Sequence, residues 1–196
     1  IAGPWGHYTD LFLPLYGAHQ AQNVSLALAV VEVFLGGQAL GEQVVSEGFA
    51  EMTSPGRLEI VRRSPTIVLD AAHNPHGARA VVDALSDSFS FSPLIGVIGV
   101  MGDKDVEGLL AEFEPVFAHV VCTQNSTARA LPANELAEIA RGIFGGDRVA
   151  DVLCKLLRVG HMLGVLLGFD VLCLLLRREP GGGVLEQCRV LLCAFD

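Results

Sequence analysis

The sequence predicts an α/β fold built on a parallel sheet, and three observations carry that reading. Short β-branched apolar runs, Thr66 to Leu69 above all, alternate with segments of helical spacing between residues 58 and 143. The strand-like runs are nearly continuous in apolar residues, as strands covered on both faces are. In Thr66-Ile-Val-Leu-Asp70-Ala-Ala-His73-Asn74-Pro75, Asn74 suits an N-cap and Pro75 the first helical position, where a missing N–H costs nothing. Strands joined through helices imply right-handed crossovers, so the class is α/β, Rossmann-like.

In chain order, an extended piece from Asp10 to Leu15 leads to a helix over Gln20 to Leu35, rich in small apolar residues and stopped by Gly36-Gly37. Gly41 to Phe49 reads as a second short helix, and Thr53-Ser-Pro-Gly56 gathers turn formers as a linker. Beyond it, Leu58 to Arg62 and Thr66 to Ala71 read as strands and Ala78 to Ser86 as a helix. Leu94 to Val100 follows as a strand, Val106 to Phe117 as a helix, His119 to Thr123 as a strand and Asn134 to Ile143 as a helix. Gly96, Gly99 and Gly102 recur at three-residue spacing, which is not G-x-G-x-x-G and reads as close packing in and after a strand. No phosphate-cradling G-x-x-x-x-G-K-[ST] occurs.

A length of 196 residues suits one domain with a piece of another. Apolar residues make up 51%, enough for a true core, and the net charge of −9 argues against nucleic acid as a partner, since binding its backbone rests on Lys and Arg. The opening Ile1-Ala-Gly-Pro has no start Met, basic region or apolar leader, so a segment of a longer, unsecreted protein is expected. Five cysteines without CxxC offer neither a paired framework nor metal-ligand spacing, and a reduced cytoplasmic setting is expected. Lys155, Arg158, His161 and Asp170 interrupt the apolar stretch from Val152 to Leu176, so no membrane span is expected.

Residue usage changes near residue 150. From Asp151 onward, 13 of 46 residues are Leu, four are Cys and one is Ala, whereas Ala is frequent earlier. Residues 150–196 therefore read as an aberrant tail, either out of frame or a divergent C-terminus. Read as out of frame, the tail lacks the strand–helix punctuation needed to dock on the sheet.

Four segments resemble, in order, the folylpolyglutamate synthase/dihydrofolate synthase family of the Mur ligase superfamily. They are Leu15-Tyr-Gly17-Ala-His19-Gln20-Ala-Gln-Asn23, Pro55-Gly56-Arg57-Leu58-Glu59, Asp70-Ala-Ala-His73-Asn74-Pro75 and Met101-Gly-Asp103-Lys104-Asp105, covering roughly residues 1 to 149. The resemblance implies a Mur ligase C-terminal domain (glutamate ligase) over residues 53–149, preceded in 1–52 by the end of a central ATP-binding domain. It also implies an ATP- and Mg²⁺-dependent ligase, monomeric when intact. ATP phosphorylates a carboxylate of a folate or of dihydropteroate, and the amino group of L-glutamate displaces the phosphate.

Carried over position by position, the resemblance implies that Asn23 contacts the nucleotide base and that Arg57 reaches ATP phosphate through its bidentate fork. Asp70 would accept from ribose hydroxyls, and His73 would stand near the γ-phosphate and incoming glutamate as the catalytic group, either donating to phosphate or orienting the amine. His19 shares a helical face with Asn23 and is either a ligand or a helix-start residue satisfying backbone groups. Lys104 is either an anion contact or part of a charged helix start. Ser126, Thr127 and Arg129 follow the next strand and are expected at the same crevice. The phosphate loop, Mg²⁺ ligands and folate-binding loops would lie before Ile1, so this chain alone is not expected to catalyse. Two other readings stay open: a fragment of a cell-wall Mur-type amino-acid ligase, and a non-catalytic remnant that binds a partner through apolar surface.

Overall fold

The computed structural model describes residues 1–64, 66–91, 93–125, 127–155 and 171–176. Two helices come first, α1 (Ala18–Phe34) and α2 (Glu42–Ala50). The first ends as its glycines foretell: Gly36 N–H donates to Val33 O at 3.1 Å and Gly37 N–H to Glu32 O at 2.9 Å, capping the last carbonyls. The expected extended piece from Asp10 to Leu15 is irregular and joins no ladder. Tyr8, Val24, Leu28, Val45 and Phe49 form a small core around these helices. Glu32 is fully buried beside it; its Oε1 accepts from the Tyr8 hydroxyl at 2.6 Å, and that hydroxyl accepts from Leu40 N–H at 2.9 Å.

The remainder is one six-stranded sheet with helices α3 (Pro75–Ser88), α4 (Val106–Phe113) and α5 (Ala133–Phe144). Its strands are β1 (Glu59–Arg63), β2 (Thr66–Asp70), β3 (Leu94–Gly99), β4 (His119–Gln124), β5 (Val149–Lys155) and β6 (Val171–Leu176). Their order across the sheet is β1-β2-β6-β3-β4-β5. The pairs β3–β4 and β4–β5 are parallel, as expected of strands joined by α4 and α5.

Two features correct the all-parallel expectation. β1 runs antiparallel to β2, with Arg63 opposite Thr66, because the connection between them is too short for a crossover. β6 lies between β2 and β3, antiparallel to both, with Leu172 opposite Asp70 and Val171 opposite Gly99. Part of the tail therefore joins the sheet, against the expectation that it would not; an unbroken Val-Leu-Cys-Leu-Leu-Leu run suits a strand flanked on both edges. Because β6 opposes both neighbours, β2 and β3 still point the same way, and the C-terminal ends of β2, β3 and β4 share one rim.

The largest core cluster lies under α3, α4 and α5 and includes Val68, Leu85, Leu110, Phe113, Phe117 and Leu136. All six residues of β3 are buried. Helix α4 stops at Phe113, four residues short of the expected end, because Pro115 has no N–H to continue it. Phe117, released from the helix, stacks on Phe113 with centroids 4.7 Å apart and covers Gly96, where an added Cβ would lie 2.4 Å from its ring. Close packing is thus the reason for that glycine. Among the described residues no helix is long and apolar enough to cross a membrane.

Candidate functional site at the strand ends

Asp70 closes β2 at the rim and is 6% exposed. Its Oδ2 accepts from Leu58 N–H at 2.9 Å and its Oδ1 from Ala72 N–H at 2.7 Å. Burial pushes its carboxyl above the ordinary value of 3.8, partly offset by those two N–H donors and by the charges of Arg57 and His19. Asp103, held by the Arg129 guanidinium, is shifted downward instead. A ¹³C NMR titration should therefore find Asp70 titrating above 3.8 and Asp103 below it. The raised value means that Asp70 binds its proton more readily in the folded chain. Its contribution to stability is full below the unfolded pKa and is lost as pH rises through the folded one. Two acidic groups titrating together at the ordinary value would contradict the burial of Asp70.

Arg57 lies on the loop that Asp70 holds. Gly56 and Leu58 on either side are buried while Arg57 is exposed, and its guanidinium makes no hydrogen bond or ion pair among the described residues. The side chain is therefore free to meet an anion. His73 follows two residues after the carbonyl it contacts: its Nδ1 lies 3.0 Å from Ala71 O. A carbonyl only accepts, so Nδ1 carries a proton in this contact. Asn74 caps α3 as expected, its Oδ1 accepting from Gly77 N–H at 2.8 Å with Pro75 behind it.

His19 comes to this cluster from the other part of the chain. Gly17, at φ +94°, caps α1, and a Cβ there would lie 2.6 Å from the His19 ring and 2.9 Å from Ala84 Cβ. Only glycine permits that approach between the start of α1 and α3. Tyr16 packs on Phe89 beside it, ring centroids 4.8 Å apart.

The rim thus assembles Arg57, Asp70, His73 and His19. Lys104 stands on the next loop, partly buried, and α4 behind it meets α3 where Pro75 approaches Gly108. Asp105 is spent as the α4 cap, accepting from Gly108 N–H at 3.0 Å. Asn23 is exposed one turn along α1, its amide donating to Gln20 Oε1 at 3.3 Å, and no contact ties it to the cluster. Ser126 falls outside the described residues. Thr127 and Arg129 are engaged locally, the first donating to Asn125 Oδ1 at 2.8 Å and the second paired with Asp103. Glu59, which sequence reasoning passed over, accepts from Gly56 N–H at 2.9 Å and closes the Arg57 loop. Its position three residues after Gly56 was the available signal.

Among the described residues no group of three or more His, Cys, Asp and Glu side chains gathers to hold a metal ion.

Residues 56–156 match the Mur ligase glutamate ligase domain. The chain belongs to the Mur ligase family. It is 52% identical over 152 residues to the dihydrofolate synthase/folylpolyglutamate synthase of Mycobacterium tuberculosis, covering 76% of this chain and 31% of that protein. A solved structure of folylpolyglutamate synthase from the same organism, complexed with ADP and AMPPCP, superposes with a TM-score of 0.74 over 76% of this chain and 34% of that one. The Thermotoga maritima folylpolyglutamate synthase structure follows at 31% identity and a TM-score of 0.61, covering 77% of this chain and 35% of that one. The chain thus spans about a third of the length of these Mur ligase relatives. The domain match ends at residue 156, close to where residue usage changes.

Proposed function

We propose that this chain is the C-terminal part of an ATP-dependent ligase that joins L-glutamate to a folate or to dihydropteroate, and that its rim forms one side of the ATP site. The observation that carries the reading is Arg57: an exposed guanidinium with no hydrogen bond or ion pair among the described residues, on a loop fixed to the rim by buried Asp70. In this reading ATP phosphorylates the substrate carboxylate, and the glutamate amine displaces phosphate from the acyl phosphate. Arg57 binds phosphate oxygens and offsets charge as it transfers. His73, with Nδ1 held by Ala71 O, presents Nε2 to accept a proton from the attacking amine. Asp70 is well occupied by two backbone donors, yet a carboxylate has further lone pairs for ribose hydroxyls. Asn23 contacts the base, with His19 and Lys104 as further contacts to the nucleotide.

Residues 1–52 belong, in this reading, to the end of the central ATP-binding domain, and 53–149 to the glutamate ligase domain. Two separate apolar clusters support that division. So does α1, which leaves Leu26, Val30, Val33 and Phe34 exposed, as expected of a helix that belongs inside a larger body. The altered usage from Asp151 onward leaves a shifted reading frame or a divergent C-terminus for the tail, and β6 within the sheet favours the second. The intact enzyme is taken as a cytoplasmic monomer.

The test is a hybrid enzyme: the M. tuberculosis ligase with its matched segment replaced by this chain's. Given ATP, Mg²⁺, labelled glutamate and either pteroate or a reduced folate, the hybrid should form amide product, and the 196-residue chain alone should not. A hybrid that is folded but silent on folates would contradict the reading, and turnover of a cell-wall precursor instead would favour the Mur-type amino-acid ligase.

A further inference from the structure

We propose that Glu59 is a positioning residue that, together with Asp70, holds Arg57 at a fixed height above the rim. The inference rests on the reading of Arg57 as a phosphate contact. It starts from three successive backbone donors in a loop that has no regular structure to satisfy them. Gly56 N–H donates to Glu59 Oε2 at 2.9 Å, Arg57 N–H to Ser54 O at 3.2 Å, and Leu58 N–H to Asp70 Oδ2 at 2.9 Å. A fourth bond, from Ala71 N–H to Gly56 O at 2.9 Å, ties the loop to the residue after β2.

The backbone needs this support. Leu58 sits at φ +47°, a left-handed conformation that a branched residue adopts only when its surroundings enforce it. Its side chain is 2% exposed and belongs to the main core, so the strained residue is held by its side chain below and by Asp70 above. Glu59 opens β1 opposite Leu69, which fixes its backbone independently of the loop. Its carboxylate then reaches back to the Gly56 N–H on the other side of Arg57. Two carboxylates, one on each flank, therefore clamp the backbone while the Arg57 side chain makes no hydrogen bond or ion pair among the described residues. The arrangement also engages Glu59 with the backbone; no ion pair forms between it and Arg57 among the described residues, so the guanidinium remains available to phosphate.

The test is made in the hybrid enzyme and in the full 196-residue chain. In the hybrid, Glu59→Ala should lower kcat/KM for ATP about tenfold, the loss expected of one charge-assisted hydrogen bond. Glu59→Gln, whose amide oxygen can accept the same N–H, should stay close to the parent. In an Arg57→Ala background, Glu59→Ala should cost nothing further, because the residue acts only through Arg57. Equal losses in both backgrounds would overturn the proposal, as would a harmless Glu59→Ala beside a damaging Arg57→Ala. A harmless Arg57→Ala would instead sink the phosphate reading itself. The clamp is then decided in the full chain by amide hydrogen exchange. Glu59→Ala should expose the Gly56 amide and Glu59→Gln should not; unchanged protection in both would overturn it.

Discussion

Arg57→Ala in the hybrid enzyme should lower kcat by about a hundredfold, because charge-assisted bonds contribute ~1.5–3 kcal/mol each and the fork makes up to two. The fold should hardly notice. Arg57 is exposed and makes no hydrogen bond or ion pair among the described residues, so its removal creates neither a cavity nor an orphaned group. A residue that meets phosphate as charge is transferred contributes to the transition state, and kcat should fall more than KM rises. Lysine in its place should recover only part of the loss, since a point charge lacks the planar fork. Steady-state kinetics with thermal melts of each variant check this. Full activity with an unchanged melting curve would make Arg57 a solvated loop residue.

The second large effect is on stability. Gly96→Ala should destabilise the 196-residue chain by about 3 kcal/mol, measured by urea unfolding. The added Cβ would meet the Phe117 ring at 2.4 Å, and Phe117, 1% exposed and stacked on fully buried Phe113, has nowhere to go. Phe117→Ala alone should cost ~3–5 kcal/mol as a cavity. The double variant should cost clearly less than the two losses added, because the new methyl occupies part of the space the ring vacates. Strict additivity would mean that the ring and the glycine do not meet.

What the sequence made legible was local chemistry. Asn74 and Pro75 announce a helix start because both act through the first turn's backbone donors, and the structure puts α3 where they predict. The glycines at 36–37 and the Pro-Gly turn before Arg57 are of the same kind. The antiparallel β1 was legible in principle, since residues 64–65 leave no room for a crossover. β6 was not: its partners lie 72 to 110 positions earlier, and an unbroken apolar run names no neighbour and no direction. At the site, the four motifs pointed to Arg57, Asp70 and His73, which the fold gathers at one rim. Hidden from sequence was the state of the carboxylates. Spacing alone does not reveal that Asp70 is buried and already bonded to Leu58 and Ala72, or that Glu59 turns back to Gly56.

Whether this rim is one wall of an ATP site is decided by the crystal structure of the hybrid enzyme with a non-hydrolysable ATP analogue. The Arg57 guanidinium is expected on phosphate oxygens at about 2.8 Å, with His73 Nε2 facing the place where the glutamate amine enters and Nδ1 still donating to Ala71 O. A nucleotide bound elsewhere, with Arg57 in solvent and the Asp70–His73 turn untouched, would contradict it.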